Sequence, residues 1–164
     1  MLLYDSFVMS NFNYCPNVWH FCGKVNNSKL EKMQARALRI IHNDYVSDYD
    51  ALISQSRTDK MLVTRLKKIL IEVFKTLKKS NPPYLHSLYT LKETQYDMRN
   101  GMSVIQPKRN TETYGIQSLT YLGAKLWNDM KFKFDNFEDM ELEAFKQMLI
   151  SWKGPDSNST HSYV

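Results

Sequence analysis

The alternation of apolar and polar positions along this chain repeats with the period of a helix almost throughout. The clearest case is Ser28–His42, SKLEKMQARALRIIH. At about 100° per residue, Leu30, Met33, Ala37, Leu38, Ile40 and Ile41 gather into one apolar arc. Lys29, Lys32, Arg36 and Arg39 gather into a second, basic arc. Ser28 and Glu31 stand in the S-x-x-E spacing of a capping box, and Asn43-Asp44 supplies the stop. One face asks for a core and the other for an anion or water.

The same period predicts further helices. Residues 2–12 carry Leu3, Phe7 and Val8 on one side, with no cap before them. Pro16 suits the first residue of a short helix bearing Val18, Trp19 and Phe21. A short helix is expected over Ser47–Gln55, capped by Ser47, with Asp48 and Asp50 in its first turn. Asp59–Lys79 reads as the longest helix. Its apolar face runs Leu62, Val63, Leu66, Ile69, Leu70, Val73, Phe74 and Leu77, and Asn81-Pro82-Pro83 ends it. One helical turn is expected near Tyr84–Tyr89. Ser118 is expected to cap a helix reaching Met130, with Leu119, Leu122, Leu126, Trp127 and Met130 on one side. Asn136 would cap the last helix, with Glu138, Asp139 and Glu141 near its positive end. Met140, Ala144, Phe145, Met148, Leu149 and Trp152 would face inward.

Residues 99–117 are the least helical stretch. Ser103–Gln106 and Thr111–Tyr114 fit two short strands or extended segments around Pro107–Asn110. The expected fold class is therefore mainly α, a helical bundle-like domain with room for a small β or extended insertion near 99–117. The expected organisation is a basic helical segment over 1–80, a helical segment over 81–153 and a disordered polar tail over 154–164.

Charge sharpens this picture by its placement. The net charge is +5, yet residues 1–23 and 81–164 are each at −1, and residues 24–80 hold 13 basic against 6 acidic residues. A segregated basic field suits a polyanion. Nine of those basic residues lie on the two basic helices, at positions compatible with one groove: Lys29, Lys32, Arg36, Arg39, Lys60, Lys68, Lys75, Lys78 and Lys79. Lysine and arginine contact an RNA or DNA backbone by releasing condensed counterions, with no sequence-specific geometry. Most aromatic residues read as core; Tyr45 and Tyr49, just beyond the basic helix, are the exceptions that suit base stacking.

Catalytic chemistry has no comparable signature. There is no glycine-rich phosphate loop, no G-x-S-x-G, no H-E-x-x-H and no aromatic-x-Asp-Asp. No catalytic residue, cofactor-binding residue or metal ligand is assigned. Cys15, His20 and Cys22 have the spacing C-x4-H-x-C, which is not that of a structural zinc site, and cysteine among aromatics reads as core. Two cysteines are too few for a disulfide framework in 164 residues, which favours an intracellular compartment, nuclear or cytoplasmic. The N-terminus does not read as a signal peptide, and no apolar run approaches the ~20 residues that span a bilayer, so no membrane partner is expected.

Six ordered segments resemble a known family. FNYCPNVWHFC (12–22), LEKMQARALRIIHNDY (30–45), IEVFK (71–75), MRN (98–100), YGIQSLTYLGAKLWN (114–128) and FKQMLISW (145–152) are similar to the region downstream of the polymerase palm in reverse transcriptases of non-LTR retrotransposons, the LINE-type, jockey or CR1-like elements of animals. The resemblance runs from about Leu2 to Trp152. It implies thumb-like helices that grip template and primer, with the upstream palm as a natural partner. The family's catalytic aspartates lie in that palm, so none carries over, and a polymerase activity of this chain alone is not expected. Many relatives also have a cysteine cluster after the tryptophan that Trp152 matches; Lys153-Gly154-Pro155 stands there instead. Met1 is accordingly expected to be an internal methionine of a decayed or wrongly delimited element. Two other expectations stand beside nucleic-acid binding: a protein-interaction or structural module completed through its apolar helix faces, and a retroelement relic without selected function.

Overall fold

The computed structural model describes residues 3–92, 103–111, 115, 117–131, 133, 134 and 137–155. The protein is mainly α-helical. Tyr4–Met9 winds as a π-helix and runs into α1 (Ser10–Asn13). There follow α2 (Pro16–Trp19), α3 (Lys24–His42), α4 (Tyr49–Ser56), α5 (Met61–Leu77), α6 (Leu119–Lys131) and α7 (Leu142–Ser151). Tight 3-10 turns lie at Pro83–Leu88 and Phe137–Asp139. Among the described residues, β pairing outside the helices is an isolated antiparallel bridge between Leu91 and Val104. Its hydrogen bonds run from Lys92 N–H to Ser103 O, 2.7 Å, and from Ile105 N–H to Thr90 O, 2.8 Å. The extended segment expected at 103–106 thus pairs with residues 90–92; residues 112–114 of the other expected segment lie outside the described residues, as do Asn136 and the tail from 156.

The chain folds as two compact units, residues 1–66 with 153–164, and residues 67–152. The basic segment 24–80 contributes to both, because the division falls inside α5.

In the first unit, α3 begins four residues before the expected Ser28. Gly23 takes φ +81° at the N-cap, a conformation that favours glycine, and Asn43 closes the helix in the left-handed region. Ser28 is therefore already inside the helix, and the capping box does not form. The expected apolar arc faces the core only in part: Leu38 is buried and Ala37 packs beside it, but its Met33, Ile40 and Ile41 side is exposed. Asn27, Gln34, Ala35 and Leu38 are buried, while Met33 is 57% and Ile40 61% exposed. The reason is polar. Unit 1 must satisfy the amides that start α5, and Glu31 and Gln34 turn inward to do it. The apolar centre beside them is Tyr4, Leu38 and Leu52, packed with Val8, Met9, Ala37, Tyr49 and Ile53. Tyr4, rather than the expected Leu3 and Phe7, faces this core; both of those are exposed. Hydrogen bonding over five residues widens each turn, so a 3.6-residue period misplaces the face.

Arg65 of α5, outside the expected apolar face, is 2% exposed. Its guanidinium lies over the Trp19 ring at 5.0 Å, and Nε donates to Met61 O at 3.3 Å. Burial pushes its pKa down. Near the other end of the unit, Asp44 Oδ1 accepts the N–H groups of Val46 and Ser47 at 3.1 and 3.0 Å. This Asx turn takes the place of the expected Ser47 cap, and α4 starts at Tyr49.

The second unit is built on aromatic packing. Phe74 of α5 stacks on Phe145 of α7 at 4.3 Å and 16°, and Trp127 of α6 meets Phe137 edge-on at 4.9 Å. Leu122, Leu126, Trp127 and Met130 face inward as their spacing predicts, and Ser118 Oγ accepts the Tyr121 N–H at 3.3 Å as an N-terminal cap. The last helix starts at Leu142, five residues later than expected. The 3-10 turn before it carries Phe137 into the aromatic cluster, and the next helix has to begin anew from Glu141. Phe145, Leu149 and Trp152 are buried as expected, whereas Ala144 points to solvent. Asn128 holds the isolated bridge with its side-chain amide: Oδ1 accepts Val104 N–H at 3.0 Å and Nδ2 donates to Val104 O at 2.9 Å.

Candidate nucleic-acid interface

Lys32, Arg36 and Arg39 follow each other at i, i+4 and i+7, so a helix puts them on one face. That face of α3 forms the wall of a 760 Å³ groove, which Ser28, Glu31, Ala35, Tyr45 and Tyr49 complete. Lys32 and Arg36 are exposed, and Arg39 is half-buried. Arg39 Nε is shut off from solvent and has no hydrogen-bond partner among the described residues. Lys29 is exposed but does not line the groove.

The nine candidate basic residues divide by what holds them. None of Lys29, Lys32, Arg36 and Arg39 makes an ion pair with a described residue. Lys60 pairs with Asp50 at 2.5 Å and lies over the Tyr49 ring at 5.7 Å. In the second unit, Lys75 pairs with Glu72 at 2.8 Å and Lys78 sits over the Phe74 ring at 5.8 Å. Burial pushes the Lys68 ammonium pKa down. Lys79 is exposed and takes a left-handed backbone, φ +54°, just past the end of α5. The groove on α3 is thus where basic side chains stand together without counterions among the described residues.

One acid, Glu31, lies in the groove wall, and its oxygens are engaged. Oε1 accepts Leu62 N–H at 2.8 Å; Oε2 accepts the Tyr49 O–H and, at 3.3 Å, the Met61 N–H. Gln34 Oε1 shares the Met61 N–H at 3.1 Å, while its Nε2 donates to Asp59 O at 3.0 Å. Together they cap the N-terminus of α5 from a distance. Burial first, and then the bond to Glu31, push the Tyr49 phenol well above its ordinary range. Tyr49 is therefore a fixed strut of the groove floor. Tyr45 is 66% exposed at its edge. The sequence placed both tyrosines near the basic helix; only the tertiary hydrogen bonds separate their roles. The Glu31–Gln34 pair at i, i+3 was the available sign of a polar inward face, and a capping box within the same helix hid it.

A larger cavity of 970 Å³ in the same unit is lined by Asp50, Arg57, Asp59, Lys60 and Lys153 among others. Its charges neutralise each other, Lys60 with Asp50 and Lys153 with Asp59 at 3.6 Å. Size alone therefore does not make it the better anion site. Cys15 is exposed and Cys22 half-buried, both as free thiols. No group of three or more His, Cys, Asp or Glu arranged to hold a metal ion occurs among the described residues. No helix among them is long and apolar enough to cross a membrane. In comparisons with known proteins, no family model, no curated protein and no solved structure matches this chain.

Proposed function

We propose that this chain is a non-catalytic part of a non-LTR retrotransposon reverse transcriptase that binds the backbone of template or primer, RNA or DNA, through α3. The observation that carries the reading is the groove in which Lys32, Arg36 and Arg39 stand together without ion-pair partners among the described residues. Lys29 extends the stripe toward the helix N-terminus. Lys60, Lys68, Lys75, Lys78 and Lys79 act in support, at lower weight, because several already hold an internal partner or a partly buried stem. The ordered motifs from Phe12 to Trp152 support the family, and a polymerase palm is the structural neighbour this origin supplies. Polymerisation would rest with that palm, since no aromatic-x-Asp-Asp occurs in the sequence.

The test is a filter-binding titration of single-stranded and primed RNA across a range of salt. Affinity should fall steeply with salt. Replacing Lys29, Lys32, Arg36 and Arg39 with glutamine should flatten the log–log slope by about 3, from roughly 0.7 for each phosphate no longer neutralised on a single strand. Binding that is absent or indifferent to salt, or a slope unchanged by the four substitutions, would reject the reading.

A second reading, a protein-interaction or structural module, is favoured by the outward arc of α3. Met33, Ile40 and Ile41 are 57%, 61% and 39% exposed on one side of that helix. Exposed apolar side chains on one helix face are what such a module would use for contact. Light scattering separates the readings: a monodisperse monomer that does not bind an apolar dye argues against the module.

A further inference from the structure

Backbone binding leaves one group at the groove unused. Tyr45 is 66% exposed and lines the same groove as Lys32, Arg36 and Arg39. Its position is fixed by the backbone on both sides. Asn43 before it closes α3 with φ +51°. Asp44 spans it, accepting the N–H groups of Val46 at 3.1 Å and Ser47 at 3.0 Å. The Ser47 side chain first, and then these two amides, hold the Asp44 carboxyl below its usual pKa. Exposed aromatic surface beside phosphate-binding cations is what a strand with accessible bases can use, because every base has a face to stack. A duplex buries those faces.

We infer that the α3 groove takes an unpaired nucleic-acid strand, with one base stacked on Tyr45 while the flanking phosphates meet Lys32, Arg36 and Arg39. The inference rests on the reading that α3 binds nucleic-acid backbone. Its volume, 760 Å³, is within the ~300–1,000 Å³ of clefts that hold small ligands. Tyr49 takes no part in stacking: its hydroxyl donates to Glu31 and its ring lies under Lys60. The acid in the wall, Glu31, is already engaged by that hydroxyl and by the Met61 and Leu62 amides. The groove therefore offers three cations, one aromatic platform and a carboxylate already hydrogen-bonded to the protein.

Fluorescence anisotropy with the full chain tests this. The probes are a labelled oligoadenylate, as RNA and as DNA, the same strand annealed to its complement, and a matched strand with abasic sites. The wild-type chain should prefer the unpaired strand over both the duplex and the abasic strand. Tyr45→Ala should lose about tenfold on the unpaired strand, the scale of one stacked base, with the salt slope unchanged. Tyr45→Phe should keep wild-type affinity, since the ring does the stacking. Equal affinity for unpaired, duplex and abasic strands overturns the inference, as does a Tyr45→Ala variant that binds the unpaired strand like wild type. Those results leave the backbone reading intact. Failure to bind any strand, or a salt slope unmoved by Lys32→Gln/Arg36→Gln/Arg39→Gln, overturns the backbone reading and this inference with it.

Discussion

The Glu31 carboxylate, midway along α3, accepts the Leu62 N–H at 2.8 Å in the first turn of α5. A helix leaves its first amides without partners inside the helix. Here a side chain from another helix supplies the acceptor, and its negative charge faces the positive end of the α5 dipole. Glu31→Ala should cost about 1–2 kcal/mol, the upper range for removal of a cap, because the freed amides sit in a partly buried place. Urea denaturation measures the loss. Hydrogen exchange should localise it, with the Met61 and Leu62 amides losing protection first. Glu31→Gln, which keeps one acceptor, should cost less.

Tyr49 and Tyr89 make the protein sensitive to alkali. Burial, as the first cause, raises both phenols above the ordinary 10.0. Tyr49 is raised further by its bond to Glu31, and Tyr89 by the charge of Glu72. Above pH 10 the unfolded chain releases these protons and the folded chain keeps them. The unfolded state then binds fewer protons, so stability falls as pH rises. Their contribution is complete below pH 10 and declines progressively above it. A pH series of denaturation midpoints should show this decline. It should be shallower in both Tyr49→Phe and Tyr89→Phe, measured separately.

Gly123, inside α6, has no room for a side chain. A Cβ there would collide with the Tyr89 hydroxyl and lie 2.8 Å from Val73 Cγ2. Tyr89 is held in place, donating to Leu119 O at 3.1 Å. Alanine in a helix interior gains about 1 kcal/mol over glycine in propensity. Overpacking costs about 1–3 kcal/mol and should win here, because both neighbours are buried. Gly123→Ala is therefore expected to destabilise, by thermal or urea unfolding. Adding Tyr89→Ala, which clears the hydroxyl, should leave a double variant more stable than the sum of the single losses predicts.

Arg65 is nearly completely buried, and its Nη1 and Nη2 have no hydrogen-bond partner among the described residues. Such a charge is costly to bury. What offsets it is the Trp19 ring, about 2 kcal/mol at most for a desolvated pair, one bond to Met61 O, and the nearby Cys22 and Glu31 side chains, which favour its charged form. Arg65→Met keeps the length and apolar stem while removing the charge. It should be neutral or stabilising by about 1 kcal/mol in chemical denaturation.

Helix positions were legible because their signals are local. The proline pair at Pro82-Pro83 follows α5, the Ser118 hydroxyl caps the first turn of α6, and the apolar spacing of Leu122, Leu126 and Met130 marks its buried side. Where the signal depended on a distant partner, the pattern misled. Glu31 has the spacing of a capping box with Ser28, but its acceptor is used 31 residues away. Phe137 suits the first turn of a helix, yet a 3-10 turn packs it on Trp127.

By itself the sequence determined that α3 carries a basic stripe in the net-positive part of the chain, since charge and helical period are properties of neighbouring residues. Tertiary structure decided which arc of that helix points inward. The α5 amides needed acceptors, Glu31 and Gln34 supplied them, and Met33 and Ile40 were left facing out. The same rotation opened Lys32, Arg36 and Arg39 onto one groove with Tyr45 at its edge. Spacing along a helix gives the angle between side chains; what each angle faces depends on residues far along the chain.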